Sequence, residues 1–380
     1  MDRSRLMVTL MMCLALISMS MVSASPSLVP AEQSKLDAWI DHNMKTYLAD
    51  QKASKGGNNN SSSTRLFGGL DRRLTEAELA VKVIKVRKDG TGDFRTVTEA
   101  VDSIPRGNKR RVVVWIGGGV YREKIAVDRS KPFLTFYGDE DDMPVITFDG
   151  TALKYGTVYS ATVAVESDFF VAVNIAFVNS APRPDGSRKG EQAVAMRISG
   201  DKAAFHNCKF IGFQDTLCDD KGRHFFRDCY IHGTVDFIFG NGKSLYLNTT
   251  IKSVAKGMGV ITAQAREEVD DDSGFTFIHC TIIGTGNTYL GRAWKERPRV
   301  VFIYTYMGTL INAEGWSNHG YAERNKTAYY GEHNCKGPGA STSGRVKYAK
   351  MLSGEQVKPF MSMTYIQGNK WLLRPPKYHH

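Results

Sequence analysis

Asn207-Cys208-Lys209-Phe210-Ile211-Gly212 and, twenty-one positions later, Asp228-Cys229-Tyr230-Ile231-His232-Gly233 share one frame. Each has a turn-forming Asn or Asp, a Cys, an apolar pair and a closing Gly. Asn174-Ile175-Ala176-Phe177 fits the frame earlier. Asn248-Thr249-Thr250-Ile251 and His279-Cys280-Thr281-Ile282-Ile283-Gly284 fit it later. A period of about 20–33 residues, with one short apolar run per unit and no helical pattern between, is the pattern of a solenoid. A parallel β-helix suits it better than a leucine-rich repeat. On the repeat alone a β-sandwich or propeller stays open.

The rest of the chain from Val81 onward has the same texture. Runs such as VKVIKV (81–86), RVVVWI (111–116), FFVAVNIAFV (169–178) and VVFIYTYM (300–307) are short, β-branched and punctuated by Gly, Asn and Asp, which is strand grammar. The 36 Gly against 12 Pro suit a chain that turns often. Residues 94–104 (FRTVTEAVDSI) are the exception and read as a helix. Residues 31–50 place Leu36, Trp39, Ile40, Met44 and Leu48 at helical spacing, a short amphipathic helix. The polar stretch 51–65 reads as a linker. Arg72 and Arg73 after it are either a trimming site or a solvated pair.

The repeat brings two carboxylates together. Asp215 lies seven residues after Cys208, and Asp236 seven after Cys229. In stacked coils, equivalent residues sit about 4.8 Å apart. Two carboxyls that close resist double ionisation, leaving one acid and one carboxylate at the same pH. Turn-capping Asp residues are the plainer alternative. Gln214 adjoins Asp215, and Gln192 lies about one coil earlier; their neutral N–H groups could bind an oxyanion without quenching a carboxylate nucleophile. Arg292 offers a planar cation able to lock a carboxylate. Trp294 offers a flat face for a sugar ring, or a core side chain.

Among 380 residues, 42% are apolar and 23% charged, which excludes wholesale disorder. The net charge of +11 implies an acidic partner. Residues 1–24 have a positive start at Arg3 and Arg5, an apolar run from Leu6, and Val22 and Ala24 placed for cleavage before Ser25, as in a secretory signal peptide. A membrane anchor is the alternative, although a run of about 16 residues is short for a bilayer. Secretion makes nucleic acid an unsuitable partner and an extracellular polyanion a suitable one. Of the six Cys, Cys13 would leave with the signal. Cys208, Cys218, Cys229, Cys280 and Cys335 remain, an odd number whose pairing is not legible. Sequons stand at Asn59, Asn60, Asn248 and Asn325.

GEQAVAMR (190–197), GFQDTLC (212–218), GTVDFIFGN (233–241) and YLGRAW (289–294) resemble, in order, the signature blocks of plant pectin methylesterases (pectinesterases, carbohydrate esterase family 8). DGTGDFRTVTEAV (89–101), GVYREKI (119–125), YGEHNCKGPGA (330–340) and YIQGNKWL (365–372) extend the match over about residues 80–375. KYGTVYSA, QDTLCDD, LGRAW and IQGNKWLL look most like the pollen-type branch.

The resemblance implies an all-β, right-handed parallel β-helix over 81–380. It follows a signal peptide at 1–24 and an extension at 25–80, without the inhibitor-like domain of about 150 residues that many members carry. It implies hydrolysis of the C6 methyl esters of homogalacturonan in the plant cell wall. By resemblance Asp236 is the nucleophile, Asp215 the proton donor and later base, Gln214 the transition-state stabiliser with Gln192, and Arg292 the residue that orients Asp236. Thr162, Gln192, Arg292, Trp294, Phe237 and Phe239 would meet substrate. No metal or organic cofactor is implied, and no membrane. A monomer is expected, with pectin as substrate and a proteinaceous inhibitor as possible partner. The charge predicts attraction to de-esterified pectin that weakens with salt.

Three positions depart from the family pattern. Ala293 stands for a usual Pro, Cys218 for a Tyr that lines the cleft, and Thr249 for a Cys that pairs with the equivalent of Cys229. A Cys218–Cys229 bridge is the substitute left open. Paired Asp residues also suit a pectin backbone hydrolase, and an inactive wall-binding or allergen-like protein is the non-enzyme alternative.

Overall fold

The computed structural model describes residues 28–44 and 69–375. Strands coil around one axis with three faces per turn. The first face runs from Lys82–Val86 and Val112–Ile116 through Ala203–His206, Arg223–Arg227, Lys243–Leu247, Gly274–Ile278 and Arg299–Ile303 to Tyr329–His333. The second carries Ala176–Asn179, Lys209–Ile211 and Tyr230–Gly233; the third carries Val163–Val165, Met196–Ile198, Leu217–Asp219 and Ile238–Gly240. Pairing between coils is parallel and in register: Phe205 with Phe226, Phe210 with Ile231, Leu217 with Ile238. The fold is the expected right-handed parallel β-helix. Thr250–Gln264 bends round the corner between the second and third faces, pairing Thr250 with Tyr230 and Thr262 with Ile238. Thr281–Arg292 follows it and delivers Arg292 to the third face.

The repeat frame marks one corner. Asn174, Asn207, Asp228, Asn248, His279, Tyr304 and Asn334 all have φ between 47° and 56°, a left-handed turn that Asn and Asp tolerate best. Side chains cross-link the corner: Asn207 Nδ2 donates to Asn174 Oδ1 at 2.9 Å, and Asn248 Nδ2 to Asp228 Oδ1 at 2.6 Å. The sequon residue Asn248 is therefore committed to the corner, whereas Asn325 is exposed. The residue after each turn points inward, so Cys208, Cys229 and Cys280 are buried in the core with Thr249 between them.

Inside the first face, aromatic rings stack at the coil spacing. Phe205–Phe226, Phe226–Tyr246, Tyr246–Phe277 and Phe277–Phe302 have centroids 4.8, 4.4, 4.5 and 4.5 Å apart. Each fully buried ring contributes about 1.5–3 kcal/mol of transfer free energy. The outside of this face is apolar too. The helix Leu36–Met44, through Leu36, Trp39 and Ile40, and the C-terminal segment, through Val357, Ile366 and Trp371, pack there against Phe225, Leu247 and Ile303. Burial on both sides is why these strands read as continuous apolar runs. The expected helix at 94–104 is Val97–Asp102, held by a Thr96/Glu99 capping box. Arg72 and Arg73 open a short helix, Arg72–Glu78, and Arg72 pairs with Glu76.

The Cys218–Cys229 bridge is corrected by the structure. Both thiols are free. Cys218 packs outside the third face with Phe239 and Ala263, while Cys229 lies inside the coil. The sheet wall separates them. Residues 1–24 and 51–65, with Asn59 and Asn60, lie outside the described residues.

Candidate active site

Asp215 and Asp236 occupy the corner that leads into the third face. Both are left-handed, with φ of 65° and 51°. Asp215 N donates to Val235 O at 3.1 Å, and Ala193 N to Gln214 O at 3.2 Å. Gln192, Gln214–Asp215 and Asp236 thus rise through three successive coils, the phase relation expected from the repeat. They line a cleft of about 320 Å³ with Thr157, Val158, Phe239, Ala263, Arg292 and Trp294.

Arg292 reaches Asp236 from two coils away. Its Nε donates to Asp236 Oδ1 at 2.7 Å, and its Nη2 to Oδ2, a bidentate pair. Among the described residues nothing donates to the Asp215 carboxyl. Burial pushes both acids above the ordinary carboxylate range. For Asp215 the Asp236 charge adds to burial and the shift is large; for Asp236 the Arg292 charge and hydrogen bonds oppose it. The proton therefore resides on Asp215 while Asp236 ionises first. Burial alone would have left two neutral acids; the planar cation separates their roles.

Phe239 meets Trp294 edge-on at 6.2 Å, and Trp294 is 41% exposed, a platform at the cleft rather than a core side chain. Two expected cleft residues are elsewhere. Phe237 is fully buried in the core. It leaves the left-handed turn at Asp236 pointing inward, across Gly233, where an added Cβ would stand 2.2 Å from the Phe237 Cβ. Thr162 is also fully buried, its hydroxyl donating to Val178 O at 2.8 Å. The neighbouring turn at 157–158 lines the cleft instead. Sequence reasoning did not single out Thr157, Val158 or Ala263. Thr157 and Val158 were within reach, since KYGTVYSA was already a matching block. His319 was also missed; its Nδ1 lies 3.3 Å from Arg292 Nη1, and no local motif announces it.

The stacked acids, paired amides and clamped carboxylate form a site suited to hydrolysing an ester. The pectinesterase family model matches residues 83–369, and the chain belongs to the pectinesterase family, as a carboxylic ester hydrolase. Putative pectinesterase 63 of Arabidopsis thaliana is 55% identical over 294 residues, covering 77% of this chain and 87% of that protein. Pectin methylesterase from carrot superposes with a TM-score of 0.72 at 35% identity, over 76% of this chain and 94% of the carrot chain. A pectin methylesterase in complex with a hexasaccharide superposes with a TM-score of 0.66 at 26% identity, over 79% of this chain and 99% of that chain.

Proposed function

We propose that the protein is a secreted enzyme that removes the C6 methyl esters of homogalacturonan in the plant cell wall, giving methanol and pectate. The observation that carries the reading is the Arg292-clamped Asp236 in one cleft with Asp215, a carboxyl whose burial and Asp236 neighbour favour its protonated form. An Asp236 oxygen attacks the ester carbonyl carbon, and the carbonyl π electrons move to oxygen. The N–H groups of Gln214 and Gln192 stabilise that oxyanion. Collapse breaks the C–O bond to methoxide, which takes the Asp215 proton and leaves as methanol. An acyl anhydride remains on Asp236. Asp215, now a carboxylate, takes a proton from water as the water attacks the acyl carbon. Cleavage of the anhydride restores Asp236 as a carboxylate and Asp215 as an acid.

The open cleft with Trp294 at its edge suits a long sugar chain, and the +11 charge suits a product that becomes more anionic with each turnover. The reading uses no cofactor. Pectin is the partner it requires; a proteinaceous inhibitor is a further one that the family resemblance suggests. The signal-like segment at 1–24 supports secretion.

The test is methanol release from highly methylated pectin by protein beginning at Ser25, with Asp236→Asn as control and reducing ends counted in the same tubes. Wild type should release methanol without new reducing ends, and Asp236→Asn should lose at least about 10³-fold in kcat. New reducing ends would instead identify a backbone hydrolase. A folded wild type without activity would identify a binding protein.

A further inference from the structure

Arg292 has five N–H donors and no acceptor. Two are committed to Asp236. A third, on Nη1, points at His319 Nδ1, 3.3 Å away. Because guanidinium only donates, Nδ1 must offer its lone pair. The imidazole is then neutral, with its proton on Nε2.

The loop that presents His319 is seated on the strand that carries Arg292. Arg292 pairs in register with Ser317, and Ala293 N donates to Ser317 O at 2.8 Å. His319 N donates to Ser317 Oγ at 3.1 Å, and His319 itself is left-handed, with φ of 58°. Trp316, just before, is fully buried and donates through Nε1 to Glu332, which in turn is paired with the buried Arg345. A strained backbone at a cleft rim, over-determined by its supports, is where a functional role is worth seeking.

We propose that His319 is a positioning residue: its neutral imidazole anchors the outer edge of the Arg292 guanidinium, holding the fork flat on Asp236, and its protonation releases that anchor. The inference rests on the reading of Asp236 as nucleophile.

The charged and titratable groups that face His319 are Arg292, Asp236 and Arg324, with the Tyr321 ring 6.0 Å away. Arg324 is held over the Tyr321 ring and donates to Ala293 O at 2.6 Å, so its charge is fixed near the imidazole. Burial and the two arginines hold His319 below the ordinary imidazole range, against the pull of Asp236. The acceptor is therefore in place at neutral pH. On acidification Nδ1 becomes an N–H facing another N–H, and both groups are cations. Asp236 then loses the fixed geometry of its partner.

The experiment measures kcat and KM on methylated pectin from acid to neutral pH for wild type, His319→Phe, His319→Asn and Asp236→Asn, with thermal midpoints for each. Phe keeps a ring without an acceptor; Asn keeps an acceptor near the Nδ1 position and tolerates the left-handed backbone. At neutral pH His319→Phe should lose about tenfold in kcat with KM within about twofold, and His319→Asn should recover to within about threefold of wild type. On the acid side the wild-type plot of log kcat should be steeper than a slope of one over the interval in which His319 protonates, whereas that of His319→Asn should keep a slope of one throughout.

Wild-type kcat and acid limb in His319→Phe would overturn the inference, as would equal losses in both His319 variants. Should the Phe variant fail to fold, an unchanged slope in His319→Asn overturns it alone. An inactive Asp236→Asn beside wild-type-like His319 variants removes only the role of His319. An active Asp236→Asn removes the nucleophile reading and this inference with it.

Discussion

A lysine would keep the charge at position 292 but not the function. The Arg292 fork meets both Asp236 oxygens, and a single ammonium cannot reproduce that planar match. Arg292→Lys should lower kcat by about 10²-fold and move the acid limb of the pH profile upward. The sign follows from the balance at Asp236: burial raises its affinity for protons and Arg292 opposes burial, so a weaker partner lets protonation begin at higher pH. Asp215 has the opposite problem. Burial and the Asp236 charge hold its carboxyl far above the ordinary carboxylate range, so this group costs stability that accumulates as pH rises from the unfolded value towards the folded one. Asp215→Asn should therefore raise the urea midpoint at pH 7 while abolishing turnover. That stability gain should vanish near pH 3, where both states are protonated. An unchanged midpoint at pH 7 would contradict the burial argument.

The corner ladder is the element that sets coil register. Asn207 combines a φ of 50° with a hydrogen bond to Asn174. Asn207→Ala loses both and should cost about 1–3 kcal/mol in urea unfolding; Asn207→Gly, which keeps the backbone freedom, should cost less. The frame was legible in five coils because Asn or Asp, or His at 279, precedes an inward residue, small in four of them and Ile175 in the first. Asn334, before Cys335, has the same frame and was not singled out; at Tyr304, which takes the same turn, the frame was not legible. A Tyr has no local preference for a left-handed backbone, and there the neighbouring coils impose it. The phase of Asp215 and Asp236 was legible for the same reason as the frame. Phe237 and Phe239 were not separable, because they sit two residues apart and strand alternation would put them together; in the structure Phe237 lies in the corner ahead of the strand Ile238–Gly240, so Phe237 and Ile238 both point inward and only Phe239 faces the cleft.

Across the whole molecule, a buried polar network ties three coils. His224 Nδ1 lies 2.5 Å from Asp219 Oδ1, its Nε2 2.9 Å from Gly200 O, and Tyr246 donates to Asp219 Oδ2 at 2.6 Å, with all three side chains fully buried. Both ring nitrogens face acceptors, so the imidazole carries two protons. Burial opposes that charge, but the Asp219 charge and hydrogen bond outweigh it, and the His224 pKa is raised. Stability from the pair is fully present below the unfolded value of about 6.5 and is lost as pH rises through the folded value. In urea titrations the gap between wild type and His224→Asn should be widest near pH 6 and narrow as pH rises. A gap that does not change with pH would mean His224 is neutral in the folded state.

The sequence by itself determined the repeat, the shared phase of Asp215 and Asp236, and the family. The first two depend on short-range spacing, a left-handed turn, an inward residue and an Asp a fixed distance on; the family, and the β-helix with it, came from the ordered matching blocks. The tertiary structure alone decided which acid keeps the proton, which aromatic faces the cleft, and what stands behind Arg292. Those outcomes depend on burial and on contacts between coils. Asp236 and Arg292 are 56 residues apart in the chain and His319 comes 27 residues after Arg292. No local pattern encodes a desolvation cost or an approach between side chains until the coils are wound.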